Sequence, residues 1–282
     1  MKIAIQYCGH LRFIRETYPL LKEYIKANEE IEFYIFFHTW DESLSEDIDF
    51  MINEIKPARY FVDKQKNFER HPYQLINDKI THDEYENDKG RLLWNEANKN
   101  DIKHFFEKPN ETNNYNFSKD LEVVKIDYYS HYPFNTLSLF YSMHQVSVLT
   151  NSYAQEHNIE FDLVFRMRSD MKFLMPFNLS NFDKNCVYVF DAPPHKGEQG
   201  IYTIHDQFAI SSPENMTIYN DIFIYLPCYY FIFKLDWVSE ILMGFHLQYN
   251  KLSITKIPRT YTLLRYQDRT NPTDGIIRRP TK

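Results

Sequence analysis

The chain has 282 residues, 43% of them hydrophobic and 17% aromatic, with a formal net charge of -7. That is enough apolar material for one large α/β domain or two small ones, and the acidic balance excludes a global electrostatic footprint for nucleic acid. It leaves room for a local positive pocket holding a small anion. Cys8, Cys186 and Cys228 are scattered, without CxxC spacing, and odd in number. This argues against a disulfide framework or a zinc site and for a reducing cytosol. The chain opens on a strand pattern rather than a charged and then apolar leader. Its most apolar later stretch, Ile222 to Phe233, is interrupted by Pro227 and too short to span a bilayer. A soluble, cytoplasmic protein is expected, and peripheral membrane contact is compatible with that.

In chain order, Lys2–Tyr7 reads as a buried strand and Cys8–Arg12 as the turn after it. Glu16–Lys26 carries Leu20, Leu21, Tyr24 and Ile25 at helical spacing. Glu32–Phe37 is a second strand ending in His38-Thr-Trp-Asp41, so strand, helix and strand form a parallel crossover. Ile48–Ile55 is expected to be helical and Ala58–Val62 a third strand. From Lys64 to Asp120 the pattern dissolves into charged and Asn-rich sequence, an inserted helical excursion that would be either a lid or a decoration.

A long helix follows from Asn135 to about Glu156, capped by Asn135 or Thr136 and apolar on most of its circumference. It feeds the strand Phe161–Phe165. The end of that strand delivers Arg166, Arg168 and Asp170. Cys186–Phe190 is a strand, Ala192–Gly200 a turn-rich loop, and Phe208–Ile210 a short strand reached through Ile204-His-Asp-Gln207. Ser212-Pro-Glu214 starts a helix with cap, proline and early acid. Asp236–Gln248 is helical and Leu252–Ile257 a strand. The tail, 266–282, is polar and basic at its end.

Neither a GxGxxG nor a GxxxxGK[ST] loop occurs, nor GxSxG or HExxH. Dinucleotide enzymes, P-loop enzymes, serine hydrolases of that class and zincins are thereby disfavoured. An anion would have to be held by side chains or a metal. Four strand-end clusters remain: Gly9-His-Leu-Arg12, His38-Thr-Trp-Asp41, Arg166-Met-Arg-Ser-Asp170 and His205-Asp206-Gln207. Gly9 permits close backbone approach, and Arg12 supplies charge for a phosphate. Trp40 has a face for a base or sugar, and Asp41 an acceptor for ribose or an amide. Against this stand blander roles for each: Trp40 as core filler, Arg12 as a solvated charge, His38 as a satisfied strand-end histidine. Ligands of open α/β sheets bind at the carboxyl ends of strands, which is where these clusters would meet.

Taken in order, these residues resemble small GT-A-type glycosyltransferases of bacterial surface-polysaccharide loci and large DNA viruses. The resemblance rests on Gly9-x-x-Arg12, Phe37-His-Thr-Trp-Asp41, Ser142 in the long helix, Phe161-Asp-Leu-Val-Phe-Arg-x-Arg-x-Asp170, and Asp206-Gln-Phe-Ala209 before the Ser-Pro-Glu helix. It implies a GT-A-like, Rossmann-type α/β domain over residues 1–265, with a mostly parallel central sheet flanked by helices and the 64–120 insertion. It also implies transfer of a sugar from a UDP- or GDP-sugar donor to a glycan or lipid-linked glycan acceptor, in the bacterial cytosol or the cytoplasm of an infected host cell. Gly9, Arg12 and Asp41 would contact the nucleoside.

Arg166-Met-Arg-Ser-Asp170 stands where such enzymes carry a DxD motif, with Arg168 in place of the first Asp. Asp170 would hold Mn²⁺ or Mg²⁺, or else Arg166 and Arg168 would neutralise the diphosphate without metal. Asp206 would be the catalytic base, with Glu240 (on the helix that also carries His246) as the reserve. The tail arginines Arg265, Arg269, Arg278 and Arg279 would either fold over the diphosphate or remain solvated. The rival expectations are a non-catalytic glycan- or nucleotide-binding subunit and a sugar-phosphate nucleotidyltransferase.

Overall fold

Alternation of apolar residues builds a sheet with two greasy faces. Ile3, Ile5 and Tyr7 of strand β1 (Lys2–Cys8) point to one side, while Ala4, Gln6 and Cys8 point to the other. The computed structural model describes residues 1–65, 133–173, 182–191, 204–231, 238–257, 261–266 and 276–277. Most of the 64–120 excursion lies outside the described residues, as do the 192–200 loop and Arg269, Arg278 and Arg279 of the tail.

After β1 come helix α1 (Ile14–Lys26), strand β2 (Glu32–Trp40), helix α2 (Ser45–Phe50) running into one π-helical turn (Met51–Ile55), and strand β3 (Arg59–Asp63). Helix α3 (Pro133–His157) leads into β4 (Leu163–Met167), β5 (Met171–Phe173), β6 (Cys186–Asp191) and β7 (Ile204–Ser211). The chain continues with α4 (Pro213–Asn220), α5 (Ile222–Phe231), α6 (Ser239–Tyr249), β8 (Ser253–Ile257) and β9 (Tyr261–Leu263).

Seven strands form the central sheet in the order β3-β2-β1-β4-β7-β6-β8. β1 is parallel to both β2 and β4, β3 to β2 and β8 to β6, whereas β7 runs against β4 and β6. The architecture is therefore α/β with a mostly parallel sheet and helices on both faces. Ile14 and Leu21 of α1 pack on one face with Ile3, Ile5 and Phe165. Leu137, Phe140, Met143 and Val146 of α3, with residues of α4, α5 and α6, cover the other. A chain of polar residues buried on that second face links α3, β1 and α4. Gln6 Nε2 donates to Thr150 Oγ1 at 2.9 Å, and Asn220 Nδ2 donates to Gln6 Oε1 at 2.9 Å.

Chain order fixes where a ligand site belongs. The chain places β2 and β3 on one side of β1, then crosses back to lay β4 on the other. The crevice between the carboxyl ends of β1 and β4 is thus the topological switch point, the position that open α/β sheets use for ligands.

Several boundaries differ from expectation. β4 runs to Met167, two residues beyond the expected Phe165, so Arg166 is a strand residue and not part of the turn. The 204–211 segment is one continuous strand, so His205, Asp206 and Gln207 lie in β7 rather than in a loop before it. Helix α3 begins at Pro133, so Asn135 and Thr136 lie within its first turn and do not precede it. Ser212 behaves as expected: its hydroxyl accepts from the Asn215 N–H at the start of α4. β5 pairs with β9 in a small second sheet that the sequence does not announce. In the tail, Arg265–Tyr266 pairs in parallel with Ile276–Ile277 where no structure was expected.

Candidate functional site

The first wall of the switch-point cleft is the turn after β1. Gly9 has φ of 90°, a conformation that other residues adopt only under strain, and the space a Cβ would enter is open. Its N–H donates to Ser142 Oγ of α3 at 2.6 Å. Ser142 also meets His38 Nδ1 at 2.7 Å, so one buried hydroxyl ties the β1 turn to the end of β2.

The second wall follows β4. Ser169 bridges the two walls: its hydroxyl donates to the His10 carbonyl at 3.2 Å and accepts from the Arg12 N–H at 2.8 Å, while its carbonyl accepts from Thr17 Oγ1 at 2.6 Å. Ser169 thus points toward the β1 turn. Arg168 and Asp170 pair with each other across it, Arg168 Nε donating to Asp170 Oδ1 at 2.9 Å and Nη2 to Oδ2 at 2.6 Å. The Asp170 side chain is 5% exposed and that of Arg168 31%. Burial opposes the charge on Arg168, but Asp170 above all, with Asp206 and Cys8, holds its pKa above the ordinary guanidinium value. It stays a cation throughout the working pH range.

β7 supplies the third side. Because it runs antiparallel, and Phe208 pairs with Met167, its early residues continue past the end of β4. Asp206 comes to the cleft in this way, and Glu240 comes from the first turn of α6, where Ser239 Oγ donates to Glu240 Oε2 at 3.0 Å. The resulting cavity, about 380 Å³, is lined by Gly9, Arg12, Arg168, Asp206 and Glu240 among others. The first two turns of α3 contribute Thr136 and Ser138. Two helix N-termini, with their partial positive charge, therefore face the same space as two arginines. His10 also lines it; burial and then Arg12 lower its pKa, which favours the neutral ring.

Other expected site residues lie elsewhere. Arg166 is fully buried beneath the cleft, on the α3 face of the sheet. Its Nε donates to Cys8 Sγ at 3.2 Å and its Nη1 to the Asp206 carbonyl. Its Nη2 has no hydrogen-bond partner among the described residues. Asp41 is exposed and does not line the cleft; its carboxylate accepts from the Gln65 N–H at 3.0 Å. Trp40 is 0% exposed and stacks on Tyr141, ring centres 5.5 Å apart, so its face is covered and not offered to a base. His38 is equally buried. His246 shares α6 with Glu240 but sits in the core, bonded to Tyr229 and to the Ile218 carbonyl. Of Arg265, the backbone alone falls within the description.

Sequence reasoning missed the cleft roles of His10, Thr136, Ser138 and Ser239, and the bracing role of Ser169. Ser169 was visible inside the Arg-Ser-Asp run. The helix starts give no such local sign, because what brings them to the cleft is the packing of α3 and α6 on the sheet.

No group of three or more His, Cys, Asp or Glu side chains among the described residues is placed to hold a metal ion. No helix among them is long and apolar enough to cross a membrane. The fold and cleft thus define an α/β protein with a charged pocket at its topological switch point. No family model and no curated protein matches the chain. Among solved structures it is similar to one described as "crystal structure of a glycosyltransferase involved in the glycosylation of the major capsid of PBCV-1", at 11% identity and a TM-score of 0.31, over 80% of this chain and 67% of that one. A likeness of that size carries no argument about activity.

Proposed function

We propose that this protein is a glycosyltransferase that moves a sugar from a nucleoside-diphosphate donor to a hydroxyl of a glycan acceptor. The observation that carries the reading is the division of charge in the cleft: Arg12 and Arg168 flank the switch point between β1 and β4, and the carboxylates Asp206 and Glu240 line the same cavity. A sugar nucleotide needs both. Its diphosphate gains negative charge as the glycosidic bond breaks, and guanidiniums held in place stabilise that charge where it develops. The acceptor hydroxyl must lose a proton as it attacks the anomeric carbon, and a carboxylate within hydrogen-bond reach takes it. Gly9 leaves room for the ligand to approach the backbone, and the starts of α3 and α6 add favourable potential for an anion.

Asp206 remains our choice for the base, with Glu240 as the alternative. Asp206 is held on a central strand whose carbonyl is fixed by Arg166, so its position is well defined. The Mn²⁺ or Mg²⁺ that such enzymes often use does not fit the described residues, among which no three His, Cys, Asp or Glu side chains are placed to hold a metal ion. Both oxygens of Asp170 are taken by Arg168, so no step here is routed through a metal. The donor is expected to be a UDP- or GDP-sugar, and the acceptor a glycan or lipid-linked glycan met in the cytoplasm or at a membrane surface.

The test is release of nucleoside diphosphate from a panel of UDP-, GDP- and dTDP-sugars, with and without glycan acceptors, paired with calorimetric binding of the nucleotides. Asp206→Asn or Glu240→Gln should cut turnover about 10²- to 10⁴-fold, as loss of a general base does, with binding retained. Binding without turnover by the wild type would leave a non-catalytic subunit. Neither binding nor turnover across the panel would refute the reading.

A further inference from the structure

The Arg-Ser-Asp turn after β4 presents an acid and a base in an unusual order of depth. Asp170 is the buried member and Arg168 the one that lines the cleft. We propose that the Arg168 guanidinium, clamped from behind by Asp170, is the resident cation of this site, doing for a diphosphate what a divalent metal ion would do. The inference rests on the donor reading above.

Three features carry it. First, the pairing is bidentate, Nε to one carboxylate oxygen at 2.9 Å and Nη2 to the other at 2.6 Å. A fork of this kind fixes the guanidinium plane as well as its position. Second, it leaves donors over. Arginine carries five N–H groups; two are spent on Asp170, and the Nη1 pair with the outer Nη2 hydrogen remains for phosphate oxygens. Third, the clamp is itself braced. The Asp170 carbonyl accepts from Leu264 N–H at 2.9 Å, tying the turn to the β5–β9 sheet, and Ser169 between the pair is anchored to the β1 turn on both sides.

A cation entering from the cleft would meet the guanidinium before it met the carboxylate. To reach Asp170 it would have to break both bonds and bring two like charges together in a poorly solvated turn, which is unfavourable. Arg166 adds to this. Its buried charge sits behind the cleft without an ion-pair partner among the described residues and favours anions over cations in front of it.

The experiment uses the full chain and three probes: Mn²⁺ alone, inorganic pyrophosphate, and UDP or GDP, the last two titrated in chelator and again with Mn²⁺. The wild type should show no saturable Mn²⁺ site by electron paramagnetic resonance. It should bind pyrophosphate and nucleoside diphosphate equally well with and without chelator. Arg168→Ala should weaken that binding about tenfold to a hundredfold, the loss expected for charged hydrogen bonds, and Arg168→Lys should recover part of it by keeping the charge without the fork.

A saturable Mn²⁺ site on the wild type that Asp170→Asn abolishes would overturn the proposal. So would binding of either anion that appears only with Mn²⁺, although nucleotide binding of that kind would leave the transferase reading standing. Pyrophosphate bound through Arg168 in chelator, with no nucleoside diphosphate bound under any condition, would do the reverse: the resident cation would stand and the transferase reading would fall. No binding of either anion under any condition would sink both.

Discussion

The end of β2 and the ends of β1 and β4 look alike as sequence, yet they do different work. Each is an apolar strand that breaks into polar residues at the same edge of the sheet. At the end of β2, His38 and Trp40 are wholly buried under Tyr141 and Ser142 of α3, and Asp41 turns outward to the Gln65 backbone. At β1 and β4, Gly9, Arg12 and Arg168 open onto the cleft. What separates them is cover and topology: α3 lies over the end of β2, while β1 and β4 flank the point where the crossovers diverge. Polar residues at a strand end mark the edge of a sheet, and the switch point marks the site.

The comparison is broken or kept most sharply by Trp40→Ala. Removing a fully buried indole should cost about 3–5 kcal/mol, read by urea unfolding, while the molecules that remain folded bind nucleoside diphosphate as before. A stable Trp40→Ala protein that had lost nucleotide affinity would place Trp40 in the site after all.

Helix α6 repeats the contrast within one element, with Glu240 in the cleft and His246 in the core. Burial lowers the His246 pKa from 6.5 to about 4, the Ile218 carbonyl and Asp221 working against that shift. Nε2–H donates to the Ile218 carbonyl, so Nδ1 must stay unprotonated to accept from Tyr229 OH, 2.6 Å away. Between those pKa values the unfolded chain binds a proton that the native one refuses. Stability is therefore complete above about pH 6.5 and drains away as pH falls toward 4, by on the order of 3 kcal/mol. His246→Gln should flatten that stretch of the stability–pH curve measured by thermal unfolding; an unchanged slope would refute the assignment. Ser142→Ala comes next. It deprives the Gly9 N–H of its acceptor at the joint between the two regions and should cost about 1–3 kcal/mol, with a loss of nucleotide affinity that Trp40→Ala does not show.

How far this was legible in the sequence follows from which forces are local. The parallel half of the sheet, with α1, α3 and the Ser212 cap, was readable because strand and helix periodicities and capping chemistry act over a few residues. His205-Asp206-Gln207 was read as a loop because polar residues interrupt an apolar run. It is strand because tertiary partners satisfy it: Arg166 donates to the Asp206 carbonyl and Tyr261 OH to Gln207. Arg166 was read as lying just past the end of its strand for the same reason. Strand pairing carries it into the sheet, where its register partners are Gln6 and Ala209. Of the candidate site, Gly9, Arg12, Arg168, Asp206 and Glu240 were named in advance, and the cleft gathers them. Asp41 was not gathered, because the turn after β2 leads away from the switch point.

The smallest effect on stability belongs to a residue that should nevertheless touch the ligand. Arg12 is exposed, and the described structure gives its side chain no ion pair; Arg12→Ala should therefore change unfolding free energy by less than about 0.5 kcal/mol. Its backbone N–H, which Ser169 holds, is retained in the variant, so the turn keeps its shape. Nucleoside diphosphate affinity should nevertheless fall about tenfold, as expected for a charged contact at the rim of an anion site. The salt dependence should fall with it, because a screened guanidinium contributes less as ionic strength rises. Asp41→Asn, at the same edge of the sheet and equally exposed, should do neither. Equal losses from the two variants would erase the distinction between the ends of β1 and β2. A loss confined to Arg12→Ala would locate the anion at the switch point by a measurement that owes nothing to the chemistry performed there.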